Sequence, residues 1–518
     1  MNRPIGLTEK TDDIVQHHGS QHARPATFTA GLSLDRSQDL NRALHVAERC
    51  IIYASLRKGA PGAGPDSMHF RARLTAASVV VLIIVPLTAA QQSQSAAHGQ
   101  IGMYSGPGSC AASNCHGSVA PKTVTRVWQN EYSIWAAQDK HSRAYAMLSN
   151  PVSMRMAKIL KLQTNPNQAD KCLVCHTLDV APNLRAQSFQ MDEGVSCENC
   201  HGPAVGWLGP HTARGWAHEQ SLKLGMYDLR DLEARSERCM SCHVGTPEKR
   251  VDHEMIAAGH PDLTFELDTF SAVMPRHSKF PDNQNSWEGV QEWAIGQAVQ
   301  LRETLDRLRR SASSSTTWPE YAELECFACH HSLTQPQDSW RQAVGYPGRK
   351  PGAPAWNASR YIVFRDLIAQ ISPDSGKQLD SNLDQVSMLV GSWADREKIA
   401  AAAHNASATA NELIQQLRQQ RYDSNLTARI MQAIAGDNAI PQQGERSAEQ
   451  AAMALDSLSI AYQNNDKVAN QNDLRAAIDR LFQQLNNPSA YNAPTFAAQM
   501  QKVKSLLPRG SQTADLRP

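Results

Sequence analysis

The sequence predicts a mainly α-helical protein made of two parts, and three observations support this prediction. Between residues 286 and 310, apolar side chains recur at intervals of three and four residues, which is the period of an amphipathic helix. From about residue 346 onward, Ala, Gln and Asn are abundant and further segments have the same period. Ten of the 11 cysteines lie between residues 110 and 329, and none follows. We therefore place a boundary near residue 345, with a cysteine-rich part before it and a helical bundle after it.

The amphipathic helix at 286–310 precedes the last pair of cysteines. Its apolar stripe consists of Val290, Ala294, Ala298, Leu301, Leu305 and Leu308. In the second part, residues 346–518, we predict helices at 407–420, 425–435, 447–463 and 473–486. We expect a small helical bundle packed on the first part, and a docking module for a partner protein is the alternative.

Local signals place the starts of the last two predicted helices. Ser447 and Gln450 have the spacing of a capping box, and Asp473 is expected to be an N-cap. The last helix also carries a stripe that should be buried, formed by Leu474, Ile478, Leu481 and Leu485.

One short pattern is repeated through the first part: two cysteines two residues apart, with a histidine directly after the second. It occurs in "KCLVCHT" at 171, "GVSCENCHGP" at 194, "RCMSCHV" at 238 and "ECFACHH" at 325, and a longer relative, "SCAASNCHG", begins at 109. The cysteines of the five motifs are Cys110 and Cys115, Cys172 and Cys175, Cys197 and Cys200, Cys239 and Cys242, and Cys326 and Cys329. The histidines are His116, His176, His201, His243 and His330.

Covalent haem is the chemistry that uses all three residues of this pattern. Two thioether bonds hold the porphyrin, and the adjacent imidazole binds the iron. A disulfide scaffold does not need a histidine behind each pair. A redox-active Cys-x-x-Cys occurs once or twice in a chain, and zinc sites would have to be assembled from pairs of motifs. We therefore interpret the four short motifs as attachment sites for haem c.

The first motif has four residues between its cysteines instead of two. His116 still follows Cys115 directly, so the iron ligand keeps its place while the extra residues form a bulge. Gly108 and Gly117 would permit that bulge. A disulfide with an idle histidine is the alternative, and five haems is the prediction.

Haem iron accepts a second axial ligand, whose identity separates electron carriers from enzymes. Five further histidines are the candidates: His141, His211, His253, His260 and His277. "WAAQDKHSRAYAML", around His141, is predicted to be helical. His253 and His260 are seven residues apart, which would align them on one helix face where they could serve two different haems.

Other side chains are weaker candidates for the second ligand. His331 adjoins His330 and cannot readily reach the opposite side of the same ring. His218 is likewise not among the five candidates for a second ligand. Methionine ligation, by Met240, Met255 or Met274, stays open and would raise the haem potential.

A secretory signal is predicted at residues 68–90. Met68 is followed by Arg71 and Arg73, an apolar stretch and small residues, so that cleavage would leave a chain starting near Gln91. Residues 1–67, which hold the unpaired Cys50, are then an extension ahead of the true start. The alternative is a short cytoplasmic segment before an uncleaved membrane anchor at 71–90.

Three stretches resemble a known family. "GVSCENCHGP", "DKHSRAYAML" and "HEMIAAGHP" are similar to segments of the multihaem cytochromes of the cytochrome c-554 family (the cytochrome c-552/4 domain), over roughly residues 105–345. That family is related in haem arrangement to hydroxylamine oxidoreductase and pentahaem nitrite reductase. The resemblance implies a mainly helical haem domain with little β structure, stacked haem pairs, irons mostly held by two histidines, and periplasmic electron transfer. The chain departs from the family in its stretched first motif and in its fifth site, since the protein that names the family carries four haems.

These observations lead to three hypotheses. The leading one is an exported pentahaem cytochrome, comprising residues 91–345 and the C-terminal helices, that passes electrons between redox partner proteins. The second is an oxidoreductase acting on a small nitrogen or sulfur compound at an open haem face, although no Cys-x-x-Cys-Lys variant is present. The third is a structural haem subunit of a membrane-associated respiratory complex. Nucleic acid is not an expected partner, because 51 basic residues balance 50 acidic ones.

Overall fold

The computed structural model describes residues 102–278, 287–314, 318–326, 329–330 and 353–510 of the 518-residue chain. The predicted extension at 1–67, the predicted signal at 68–90 and His331 lie outside these residues. Within the described ranges, no helix combines the length and the apolar character needed to cross a membrane.

The prediction of a mainly α-helical protein is confirmed. In the described part of the chain, β pairing is limited to isolated bridges between Tyr104 and Arg185 and between Leu324 and Trp356. The helices of the first part are α1 Glu131–Gln138, α2 Ala144–Met147, α3 Pro151–Ile159, α4 Asp170–His176, α5 Cys197–His201, α6 His218–Lys223, α7 Leu232–His243, α8 His253–Ala257, α9 Leu267–Val273 and α10 Glu288–Ser313. Short 3-10 helices lie at Pro107–Cys110, Lys140–Arg143, Pro166–Gln168, Pro182–Leu184, Met191–Glu193, Pro210–Thr212, Tyr321–Glu323, Ala358–Arg360 and Pro488–Ala490.

The C-terminal part contains more helices than the sequence predicts. They are α11 Ile362–Ile371, α12 Pro373–Gly391, α13 Arg396–Gln419, α14 Ser424–Gly436, α15 Ala439–Gln442, α16 Glu445–Gln463, α17 Gln471–Leu485 and α18 Ala493–Leu506. Helices α13, α14, α16 and α17 correspond to the four predicted ones, and α13 begins 11 residues earlier than predicted because Asp395 caps it at Glu397.

Two predicted helix starts are wrong. Helix α16 begins at Glu445 after Gly444, whose φ of +108° marks the turn, so Ser447 lies inside the helix and is buried. Helix α17 begins at Gln471, and Asp473 lies in its first turn, where a carboxylate favours the N-terminal end of the dipole.

The long helix α10 is the centre of the fold, and the predicted amphipathic helix is confirmed. All six side chains of its predicted stripe are fully buried. One face packs on α13 and another on α7, the helix that carries the fourth motif. A single apolar core includes residues from α7, α9, α10 and the C-terminal helices, among them Met240, Leu267, Leu305, Leu413 and Leu455.

Arginines join the motif-bearing helix α7 to the bundle. Arg302 of α10 pairs with Glu233 and Glu237 of α7, and Arg418 of α13 bonds the N-cap Asp231 at 2.7 and 2.9 Å. Because Asp231 also accepts the Ala234 amide, one carboxylate both starts α7 and holds it against the bundle. The fourth motif is therefore fixed from both sides of the predicted boundary.

Candidate haem-binding sites

Three motif histidines are the last residues of helices. Helices α4, α5 and α7 end at His176, His201 and His243. One helical turn places the two cysteines of a short motif on the same face and the histidine beside them. Helix α5 is started by a capping box, in which the Ser196 amide donates to Asn199 Oδ1 at 2.7 Å, and it is stopped by Gly202 at φ +82°.

The stretched first motif closes into a compact turn. Cys110 ends a 3-10 helix, and the His116 amide donates to the Cys110 carbonyl at 3.2 Å. The bulge needs Gly117, since a Cβ there would lie 1.8 Å from the Ala111 carbonyl oxygen. Gly108 has no such contact. His116 thus follows the thiols as it does in the short motifs, although the loop is longer.

Four of the five motif histidines have a second histidine ring opposite them. The separations of the ring centroids are 6.2 Å for His116 and His211, 6.5 Å for His176 and His260, 6.0 Å for His243 and His141, and 6.1 Å for His330 and His253. Each pair joins one motif histidine to one of the five histidines that the sequence nominates as second ligands.

These separations fit one metal atom between two imidazoles. A ring nitrogen bound at about 2 Å from a metal places the ring centroid about 3.1 Å away, so that two opposed rings lie about 6.2 Å apart. The four pairs span 6.0 to 6.5 Å. Ordinary aromatic contacts also cover this range. The hydrogen bonds of the rings therefore have to show which nitrogen is free to bind a metal.

Backbone carbonyls fix which nitrogen of several rings is free. A carbonyl can only accept, so the Nδ1 that faces it must carry the proton and leave Nε2 as the donor to a metal. Four rings are held this way: His176 by Ala144 at 3.0 Å, His211 by Leu208 at 2.6 Å, His260 by Pro261 at 2.8 Å and His277 by Pro275 at 3.0 Å.

Carboxylates take the same position at two other rings. His116 Nδ1 donates to Glu131 at 2.9 Å, and His141 Nδ1 lies 3.1 Å from Asp139. The hydrogen bond to Glu131 raises the pKa of His116 despite partial burial. Burial alone would lower the pKa of His141, but Asp139 outweighs it. Both carboxylates make the opposite nitrogen a stronger iron donor.

His201, in the third motif, is the one motif histidine not in these four ring pairs. Its pKa is affected by the charge of His277. Burial first, and then His277, lower the pKa of His201 to about 4. Burial lowers the pKa of His243 to about 3, with a smaller contribution from His141. Both rings are therefore neutral at pH 7, as a metal-binding imidazole must be.

Thiols of different motifs lie close to each other. Cys110 of the first motif is within hydrogen-bonding reach of Cys197 of the third, and Cys175 of the second within reach of Cys242 of the fourth. Cys200 and Cys239 also bring the third and fourth motifs close. The described cysteines form no disulfide, so the disulfide alternative for Cys110 and Cys115 finds no counterpart in these residues.

Two expectations about the second ligands need correction. The segment around His141 is not one helix: α1 ends at Gln138, the backbone of Asp139 is extended, and His141 lies in a 3-10 turn before α2. His253 and His260 do not share a helix, because α8 ends at Ala257. The chain then turns at Gly259, so the two rings face different motif histidines by a loop rather than by helical period.

The weaker candidates occupy other surroundings. His218 uses Nε2 itself in a 3.1 Å bond to Asp228. Met240 packs in the apolar core beside α10, Met255 is buried in α8, and Met274 is largely exposed. The ring pairs favour His141, His211, His253 and His260 over these side chains.

Several residues of the sites were not found from the sequence. Glu131 lies 15 residues after the ring that it orients, a separation that carries no signal. Asp139 lies two residues before His141, and this short spacing was a usable signal. Phe265 stacks on His243 at 4.9 Å and Phe270 meets the same ring edge-on at 5.5 Å. They lie more than 20 residues from His243, so only the fold brings them there.

A family comparison agrees with this geometry. Residues 110–202 match the family model described as cytochrome c554 and c-prime, a range that begins at Cys110 and includes the first three motifs. Residues 110–202 are therefore similar to a domain of cytochrome c554, and the match supports the role of a c-type cytochrome, a class that carries covalently bound haem c and transfers electrons. No curated protein and no solved structure gives a significant match.

Proposed function

We propose that this protein is an exported cytochrome that carries five haems and transfers electrons between partner proteins. The observation that carries the proposal is the set of four opposed histidine rings at the spacing of a shared metal atom. Haem c would supply the one-electron chemistry, while the chain holds the axial nitrogens, orients them and limits access to them. His201 with His277 would hold the remaining haem.

Contacts between motifs support a continuous order of sites. The first motif lies close to the third through Cys110 and Cys197, the third approaches the fourth, and the fourth lies close to the second through Cys242 and Cys175. The second and fifth motifs are joined because their opposed rings, His260 and His253, flank one short turn. The proposed order is therefore first, third, fourth, second, fifth. His330 and both cysteines of the fifth motif are exposed, which suits an exchange point for a partner.

The same rings argue for a carrier over an enzyme. A catalytic haem needs an open face for its substrate, whereas four of the five motif histidines have a nominated partner opposite them. Electron paramagnetic resonance of the oxidised, fully loaded protein tests this point. We expect five low-spin signals and weak binding of cyanide. A stoichiometric high-spin signal would favour the oxidoreductase hypothesis instead.

The haem number has its own test. Intact mass together with haem quantitation of protein made in a host with c-type maturation should give five haems per chain. A Cys110→Ala, Cys115→Ala double variant should give four. Wild-type protein that never exceeds four haems would remove the first motif from the proposal.

Export is the remaining part of the proposal. Cytochromes c of this kind are typically exported, and the charged, apolar and small residues of 68–90 fit a cleaved signal. N-terminal sequencing of the mature protein should find a start near Gln91. A membrane-bound chain that retains residues before Met68 would contradict it, and would favour the anchor and the respiratory-complex hypothesis.

A further inference from the structure

A small cavity lies where three candidate haem sites meet the C-terminal bundle. It has a volume of about 30 Å³, and its lining includes Val244, Leu263, Arg307, Glu323 and Arg360. Val244 follows the fourth motif histidine, Leu263 lies three residues after His260, and Glu323 lies three residues before Cys326. The cavity therefore adjoins the fourth, second and fifth sites together.

Arg250 and Arg307 line this cavity together with Arg360, Arg446 lies beyond it, and each of the three arginines other than Arg360 has a carboxylate partner. Arg307 bonds Glu323 at 2.7 and 3.0 Å, Arg250 lies 3.6 Å from Glu320, and Arg446 pairs with Asp262. These pairs cancel in charge, since three guanidinium groups face three carboxylates. Arg360 is the cation that remains.

Arg360 is buried, and no carboxylate among the described residues forms an ion pair with it. The residue is only 7% exposed. Its Nη2 donates to the Leu263 carbonyl, whereas its Nη1 has no hydrogen-bond acceptor among the described residues. Burial lowers the pKa of Arg360 to about 10, and although Asp262 opposes the shift, Arg307 and Arg446 add to it. A buried cation with a free N–H is unfavourable unless an anion completes it.

We propose that Arg360 Nη1 is a binding site for one carboxylate-sized oxyanion, and that a propionate of an adjacent haem provides it. This proposal rests on the proposed function, because it needs haem at one of the three adjoining sites. The planar guanidinium suits a carboxylate, with which it forms charge-assisted hydrogen bonds. A small free oxyanion has the same chemistry, and the experiment separates the two sources.

The test compares loaded wild-type protein with Arg360→Gln, Arg360→Lys and the control Arg480→Gln, which changes an exposed arginine of the bundle. Haem content and low-spin spectra of the same samples report on the proposed function separately. Spectroelectrochemical titration should show that Arg360→Gln lowers the potential of one haem in five, since a nearby cation favours the reduced form. Arg360→Lys should restore most of the shift, and Arg480→Gln should change no potential.

The source of the anion follows from added acetate or nitrite. If a propionate is bound, neither salt changes the wild-type potentials or thermal stability. If the anion is free, wild-type stability rises with its concentration and that of Arg360→Gln does not. The site is refuted if Arg360→Gln matches Arg480→Gln in every measurement. Should Arg360→Gln fail to fold, a structure of the loaded wild type decides: a carboxylate oxygen on Nη1 supports the site, whereas water or a protein atom there overturns it.

Discussion

His211 illustrates how single residues hold a candidate iron ligand in place. Its Nδ1 lies 2.6 Å from the Leu208 carbonyl and 3.2 Å from that of Trp207. The Trp207 ring meets it edge-on at 5.5 Å, and the ring is nearly parallel to His116, with 8° between the planes. The Gly/Pro loop before it thus has a definite conformation, in which the imidazole faces the first motif.

His211→Ala should open one face of the first haem. We expect one haem in five to become high-spin without loss of haem, because the thioethers and His116 remain. His218→Ala is the matched control, since its Nε2 bonds Asp228 rather than facing a motif histidine. Electron paramagnetic resonance checks both variants. A high-spin signal in His218→Ala, or none in His211→Ala, would contradict the assignment.

Glu131→Gln should change the potential of the first haem. The carboxylate strengthens His116 as a donor, and a stronger donor favours ferric iron. Its loss should raise one potential by about 60 mV, the equivalent of a tenfold change in a one-electron equilibrium. Glu219→Gln, at an exposed position of α6, is the control and should leave every potential unchanged. Spectroelectrochemistry measures both, and an unshifted Glu131→Gln protein would sink this explanation.

At the scale of elements, whether a helix could be predicted from the sequence depended on how its buried residues are spaced. Helix α17 is buried on one stripe. Helix α10 is buried on all sides along its middle, but its apolar residues still recur at the helical period, and the sequence predicts both helices from that period. Helix α11 spans only ten residues, and its buried Ile362, Val363 and Phe364 form a short apolar run that does not by itself distinguish a helix from a strand. Helices α12 and α18 begin with Pro at the first or second position, which breaks an apolar pattern although it suits a helix start.

The candidate sites follow the same division between local and distant information. The motif cysteines and histidines are close together in sequence, so their chemistry can be predicted from the sequence alone. The partners of those histidines are chosen by the fold: His141 faces His243, 102 positions away, while the nearer His176 faces His260. Spacing along the chain nominates the five second ligands, but it cannot assign them to motifs.

Helix α11 also contains a carboxyl group whose ionisation should affect stability. Burial, and then the neighbouring Asp437, raise the pKa of Asp366 to about 7. The value in the unfolded chain is about 4, so the folded state binds this proton more tightly. Its contribution to the free energy of unfolding is therefore full below pH 4 and is lost as the pH rises to about 7.

Asp366→Asn should for this reason stabilise the protein at alkaline pH. The gain over wild type should grow between pH 4 and pH 7 and reach at least about 1 kcal/mol by pH 8, a few degrees in Tm. Asp374→Asn is the control, at a carboxylate that is 97% exposed. Thermal unfolding at pH 5 and pH 8 measures the difference. A pH-independent effect of Asp366→Asn would show that the shift of its pKa is not the cause.

At the scale of the whole molecule, the two parts share one interior. The apolar core runs from Met240 in α7 through α10 to Val503 in α18. Removing a buried leucine such as Leu305 alone costs roughly 2–5 kcal/mol. A cut at residue 345 would uncover the whole face of α10 that packs on α13.

Deletion of 346–518 should therefore yield aggregated protein or a Tm at least about 10 °C lower, through the exposed face of α10. Co-export of 346–518 as a separate chain should restore soluble, haem-loaded protein. Light scattering, thermal unfolding and the visible haem spectrum measure the result. A monomeric fragment with unchanged Tm and spectrum would instead establish residue 345 as a domain boundary.

The alternating contacts between motifs also bear on how the protein is made. A chain that is delivered from its N-terminus presents its motifs in sequence order. Cys110 can meet Cys197, and Cys175 can meet Cys242, only after the later cysteine has been delivered. The first and second motifs do not meet each other directly in these contacts. The first contact closes only when the third motif has arrived, and the next only with the fourth. If the chain is exported, the second motif therefore stays without its partner until Cys242 has been delivered, and its thiols remain accessible to haem attachment over that interval.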